Sequence, residues 1–230
     1  MAAFLAQRAA GTTTTQTVGA VLAAATSSAT IASAGDGWVN LGETIVLRHL
    51  DTNSAICSNP SPLATNPERL SASAAPDALP TLRSTFTVTS SSATEGMVRY
   101  NQEIYLQCNL PEGGFGYLTS ERLSISSGAA RYSGKQLVFV GKAHGPPSFD
   151  AAWVVLPAVG AERLEKEGQP VPANAAVVLR HARTGLNLAV LKQHLWRHEF
   201  GVDYEVVAHS YLTAHKADGT ENVFQLEEQV

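Results

Sequence analysis

Two histidines four residues apart, His194 and His198, with Glu199 beside them, are the nearest thing to a metal site in this chain. On a helix that spacing would put both imidazoles on one face, as zinc ligation requires. Lys192 and Arg197 would repel a cation there, so the stretch reads as a solvated basic face. A second candidate runs from Gly128 to Gln136 and ends Gly134-Lys135-Gln136, like a phosphate loop. It has one residue too many between its glycines, and Gln136 stands where a Ser or Thr would hold magnesium. A turn leading into the apolar run at Leu137 explains it better. His49 and His181 follow matching strand-like runs, and Cys108 takes the equivalent place between them. A position that accepts either His or Cys reads as packing at a strand end, not as a ligand. Glu227 and Glu228 read as solvated. With no Gly-x-Ser-x-Gly elbow and no His-Glu-x-x-His pair, the expectation is a chain that is not an enzyme and needs no cofactor or metal.

Charge offers a different kind of site. From Gln169 to His198 there is no acidic residue, and Arg180, Arg183, Lys192 and Arg197 make the segment +4. From Glu199 to Val230, seven acidic residues and one lysine make it −6. Arg180, Arg183, Lys192 and Arg197 are therefore the candidate partner-binding residues, expected to share one surface against an acidic neighbour.

The chain that must position them has 230 residues, 44% hydrophobic and 16% charged, with a net charge of −4. That is enough for one large domain with a sizeable core. The acidic balance argues against a nucleic-acid partner, which would need clustered Lys and Arg. No apolar run is long enough for a membrane-spanning helix. Cys57 and Cys108 are too few for a disulfide framework and sit in strand-like runs, so buried free thiols are expected. Residues 1–34 are rich in Ala, Thr and Ser and carry no acid. Despite a loosely targeting-like flavour, they read as a low-complexity tail.

Behind the tail lies an internal repeat. Gly37, Val39, Ile45 and Leu47 map onto Gly96, Val98, Ile104 and Leu106 with a constant offset of 59. A further shift of 73 carries Val98, Ile104 and Leu106 to Val171, Val177 and Leu179. Each copy alternates apolar and polar residues as a half-buried strand does. Each then turns at Asn53, at Gly113-Gly114 or at Gly185, and closes on an aromatic strand at Phe86, Trp153 or Phe224. Four short strands in each of three copies predict an all-β protein, a β-trefoil over 35–230 with repeats at about 36–89, 95–156 and 168–228. The Pro-rich stretch 59–81 is read as an irregular insertion, and Lys192–Phe200 as one or two helical turns.

Several blocks resemble a cilia- and flagella-associated protein family. They are Glu167 to Ala175 with its Pro-Val-Pro-Ala-Asn-Ala core, His181 with Thr184, Leu188-Ala189, Phe200-Gly201, and Glu205 to His215. Asp36 to Leu47 and Gly96 to Tyr100 match in the same order, so the likeness covers roughly 36–226. Leu179-Arg180-His181 with Thr184-Gly185 is similar to the wider MIR-type trefoil group. The start departs from the family, whose animal members carry a longer N-terminal region with a tryptophan-containing block. The resemblance implies a non-enzymatic microtubule inner protein on the luminal wall of the A-tubule of axonemal doublets. Its implied partners are α/β-tubulin and neighbouring inner proteins, with no membrane and no small-molecule substrate. The alternative is a MIR-like trefoil module binding carbohydrate or protein outside the axoneme. Trp38 and the Asp51/Asn53 pair in the first copy come nearest to its sugar platform.

Overall fold

The structure is a computed structural model and describes residues 13–31, 35–64, 66–76, 79–124 and 128–228. Twelve strands form among them. The first third holds β1 (Thr44–His49), β2 (Ser54–Leu63), β3 (Asn66–Pro76) and β4 (Thr85–Thr89). The middle third holds β5 (Glu103–Asn109), β6 (Phe115–Ser120), β7 (Gln136–Lys142) and β8 (Ala152–Pro157). The last holds β9 (Ala176–His181), β10 (Leu188–His198), β11 (Gly201–Ala208) and β12 (Phe224–Glu227). Helices are few: α1 (Thr14–Ala25), α2 (Arg163–Lys166) and single 3-10 turns.

The chain folds this way because its apolar residues alternate. In β1, β5 and β9 the inward pairs Ile45/Leu47, Ile104/Leu106 and Val177/Leu179 are fully buried. Each faces an aromatic on a neighbouring strand, Ile45 opposite Phe86, Ile104 opposite Trp153 and Val177 opposite Phe224. All nine belong to one core cluster. The pairings β1–β4, β4–β5, β5–β8, β8–β9, β9–β12 and β12–β1 close a ring of strands, so no barrel edge is left open to another chain. The hairpins β2–β3, β6–β7 and β10–β11 meet through β3–β7, β3–β11 and β7–β11.

The two offsets read from the sequence reappear as hydrogen bonds. Val39 N–H donates to Val171 O, Val98 N–H to Val39 O, and Val171 N–H to Val98 O, at 3.0, 2.8 and 2.8 Å. A second closed set joins Leu41 to Gly96, Tyr100 to Gln169 and Ala173 to Gly37. Just beyond, Gly42, Asn101 and Asn174 all have positive φ, at 87°, 66° and 60°. Only residues tolerant of that region fill the three related turns.

Two local expectations differ. The stretch 59–81 is not irregular: most of it belongs to the long β2–β3 hairpin. The ladder shifts register between Ser58 and Leu63, and Pro60 and Pro62 fall inside that shift, where a missing N–H costs no ladder bond. Lys192–Phe200 is not helical either. Through His198 it is β10, paired with β11 across a bulge between Leu191 and Leu195.

Part of the N-terminal stretch 1–34 is described. Thr13 caps α1 by accepting from Gln16 N–H. At the end of the helix Arg83 N–H donates to Ala25 O, and beyond it Leu82 N–H donates to Ser27 O, while Ile31 packs with Val46 and Ala55.

Candidate interaction surface and internal polar sites

His49 and His181 are both fully buried at the ends of β1 and β9. Their surroundings repeat: Nδ1 lies 2.8 Å from the hydroxyl of Thr52 or Thr184, and Nε2 lies 2.9 Å from the carbonyl of Thr220 or Asp150. A carbonyl can only accept, so Nε2 carries the proton and Nδ1 accepts from the hydroxyl. Each ring packs against the aromatic of a neighbouring strand, Phe224 at 5.2 Å and Trp153 at 5.1 Å. Both are packing residues, as their exchange with Cys108 suggests.

Burial lowers the pKa of both imidazoles, against the smaller opposing pull of the carbonyls and nearby acids. The fold therefore favours neutral rings, and the stability they contribute is complete above the unfolded value of about 6.5 and lost as pH falls below it. Urea midpoints should fall between pH 7.5 and 5. Replacing both with Gln, which keeps polar atoms but cannot titrate, should flatten that slope. An unchanged slope would show that other groups carry the acid sensitivity. Cys57 and Cys108 are buried free thiols. Burial pushes them up to about 11 and about 12, which keeps them protonated and unreactive at neutral pH.

The loop that looks like a phosphate site holds a carboxylate of this chain. Tyr132 and Ser133 donate their amide N–H groups to Glu205 at 2.8 and 3.0 Å. Gly134 N–H donates to Ala130 O, and Lys135 N–H to Ser133 Oγ. These four amides are spent internally.

His194 and His198 do not form a helical pair. They alternate with Trp196 along β10, and His194 stacks on Tyr132. The side chain of His198 is only 4% exposed, so the solvated face expected there is replaced by a buried network. Its Nε2 lies 2.8 Å from Asp203 Oδ2, at ion-pair distance but off the axis of a good hydrogen bond. Asp203 also accepts from Arg83 Nη2 and Ser73 Oγ, both at 2.6 Å, and Asn59 donates to Ser73. The Arg83 guanidinium lies 4.2 Å from the Phe200 ring centre. Burial alone would raise the Asp203 pKa. The close contact with His198, the hydrogen bond from Ser73 and the charge of Arg83 outweigh it, and the pKa is lowered. No sequence motif announces this network, because Arg83 and Asp203 lie 120 residues apart. The terminal acids also differ from expectation: Glu227 pairs with Arg48, and Glu228 is buried.

The four basic candidates differ in their local partners. Arg183 is exposed and donates from Nη1 to both oxygens of Asp150 at 2.7 Å. Lys192 reaches Asp51, in the turn between β1 and β2, at 2.8 Å. Arg180 is half-buried beside Asn187. Arg197 is exposed near the tip of the β10–β11 hairpin, with no ion pair among the described residues. Two of the four cations are thus neutralised by local acids. No cluster of three or more His, Cys, Asp or Glu among the described residues could hold a metal. No helix among them is long and apolar enough to cross a membrane.

The chain is thus an all-β domain whose buried ionisable side chains are tied into its own framework. The chain belongs to the family of the cilia- and flagella-associated protein 161-like domain, whose model matches residues 64–229. A zebrafish (Danio rerio) cilia- and flagella-associated protein 161 is 28% identical over 95% of this chain and 78% of its own length. The Bos taurus protein is 28% identical over 83% of this chain, which spans 64% of that relative. Among solved structures, an SDF2-like protein from Arabidopsis thaliana matches with TM-score 0.65 and 18% identity over 84% of this chain and 96% of its own. A Caenorhabditis elegans protein of unknown function matches with TM-score 0.66 and 16% identity over 86% and 100%. At that identity the two structures speak for the fold alone.

Proposed function

We propose that this chain is a non-enzymatic structural protein of cilia and flagella, a microtubule inner protein on the luminal wall of the doublet A-tubule. Its partners are α/β-tubulin and neighbouring inner proteins. The observation that carries the reading is the family match over 64–229, together with relatives named for cilia and flagella. The repeat blocks at 36–47, 96–100 and 167–215 support the finer assignment. We read the domain at 35–230 as a β-trefoil, with 1–34 as an Ala/Thr/Ser-rich tail. The closed ring of strands and the threefold hydrogen bonding of Val39, Val98 and Val171 support that reading. Tubulin is acidic overall, so Arg180, Arg183, Lys192 and Arg197 are the proposed contacts. Arg197 is the most available of them. The test is extraction of purified axonemal doublets with increasing salt. Retention with the washed doublets is expected, and recovery in the soluble or secreted fraction would sink the proposal.

A further inference from the structure

A cleft of about 700 Å³ opens where four separate parts of the chain meet. Arg122 follows β6, Lys135 precedes β7, Arg183 and Thr184 occupy the turn between β9 and β10, and His209 follows β11. Gln136 anchors the wall, donating from Nε2 to Ser120 Oγ at 2.8 Å and to Thr184 Oγ1 at 3.1 Å. No acidic residue lines the cleft, whose wall carries Lys135 together with Arg122 and with Arg183, the last already paired with Asp150, in a chain whose net charge is −4. Among the described residues Lys135 has no ion pair, and Arg183 uses only Nη1 on Asp150, with no partner there for Nε or Nη2. The local field is felt by His209, whose pKa is lowered first by burial and then by the charge of Lys135.

We propose that this cleft binds a carboxylate-rich segment of a partner protein, with Lys135 and Arg183 engaging separate acidic side chains. Its volume suits a run of side chains better than a single small anion. A phosphate cradle would need free backbone amides, and those of Tyr132, Ser133, Gly134 and Lys135 are committed to Glu205, Ala130 and Ser133. The cations project from separate elements, an arrangement for meeting several spaced carboxylates. This inference does not depend on the partner being tubulin or on a place in the axoneme.

The test uses the full purified chain and fluorescence anisotropy of a labelled hexaglutamate peptide, with hexaglutamine and tripolyphosphate as the other arms. Hexaglutamate should bind, with affinity falling steeply as salt rises, and hexaglutamine should not. Lys135→Glu and Arg183→Glu should each weaken binding about tenfold or more, whereas Lys166→Glu on α2 should leave it unchanged. Lys135→Gln, which adds no new charge, should weaken it less, and it keeps the test open if the reversal misfolds. The proposal is overturned if hexaglutamate does not bind, or if both Lys135 variants bind like the parent. It is equally overturned if tripolyphosphate binds more tightly than the peptide in a Lys135-dependent way. Each result is read without doublets, so the axonemal proposal can fail while this one stands, or the reverse.

Discussion

Replacing Asp203 with Ala is expected to destabilise the fold by about 3–5 kcal/mol, the usual cost of removing one partner from a buried charge pair. Asp203 is only 3% exposed, and its carboxylate is where Arg83, His198 and Ser73 converge. Without it the Arg83 guanidinium, buried over Phe200, loses the carboxylate to which it donates. Asn59 and Ser73 would also lose the end of their hydrogen-bond chain. Because folding lowers the Asp203 pKa, its stabilisation is present above the unfolded value of about 3.9 and is lost as pH falls through the folded value. The variant should therefore lose stability at neutral pH and show a shallower decline at strongly acidic pH. Urea denaturation measures both. An Asp203→Ala/Arg83→Met double variant should recover part of the loss, since it removes both charges and keeps the volume over Phe200. If the double variant is as unstable as the two single costs combined, the ion pair is not the reason.

Trp153→Ala should cost a similar amount, about 3–5 kcal/mol, for a different reason. Trp153 is fully buried in the main core, opposite Ile104 and against His181. Truncation opens a cavity in that cluster. It also strands the Leu118 carbonyl, which accepts from the indole Nε1 at 2.8 Å. Phe86 and Phe224 hold the related places in the other two copies, so Trp153→Phe should retain most of the stability and lose chiefly the hydrogen bond. Denaturation midpoints for the two variants test this. Equal losses would mean that the indole N–H, rather than the ring volume, matters at this position.

The parts of the fold visible in the sequence are those in which local chemistry repeats. Ile45/Leu47, Ile104/Leu106 and Val177/Leu179 advertise strands through their period of two, and the two offsets align Val39, Val98 and Val171 before any contact is known. Reading failed where one local signal overrode another. Pro60 and Pro62 look like breakers, yet a bulge accommodates them. His194 and His198 satisfy a helical spacing, but with Trp196 between them they equally mark alternate residues of a strand, and the partner strand decided the matter. The Arg83–Asp203–His198 network was invisible because its members share no segment and acquire meaning only when hairpins from the first and last thirds meet. The basic segment was legible as composition. What composition omits is the position of Asp150 and Asp51, which neutralise Arg183 and Lys192 and shift the free charge to Arg197 and to the cleft around Lys135.

The hydrogen-bonded set of Val39, Val98 and Val171 also bears on how the molecule comes to be made. Each third donates to one sibling and accepts from another, and β1 pairs with β4 of its own third only over Thr44–Val46, its remaining length from Val46 to His49 lying against β12. A chain emerging from the ribosome carries unpaired strand edges from its first third until its last residues appear. Contacts so distant in sequence make closure slow. A truncation within the final third should therefore leave the earlier two exposed to aggregation and to chaperone capture, even with every residue of those two thirds unchanged.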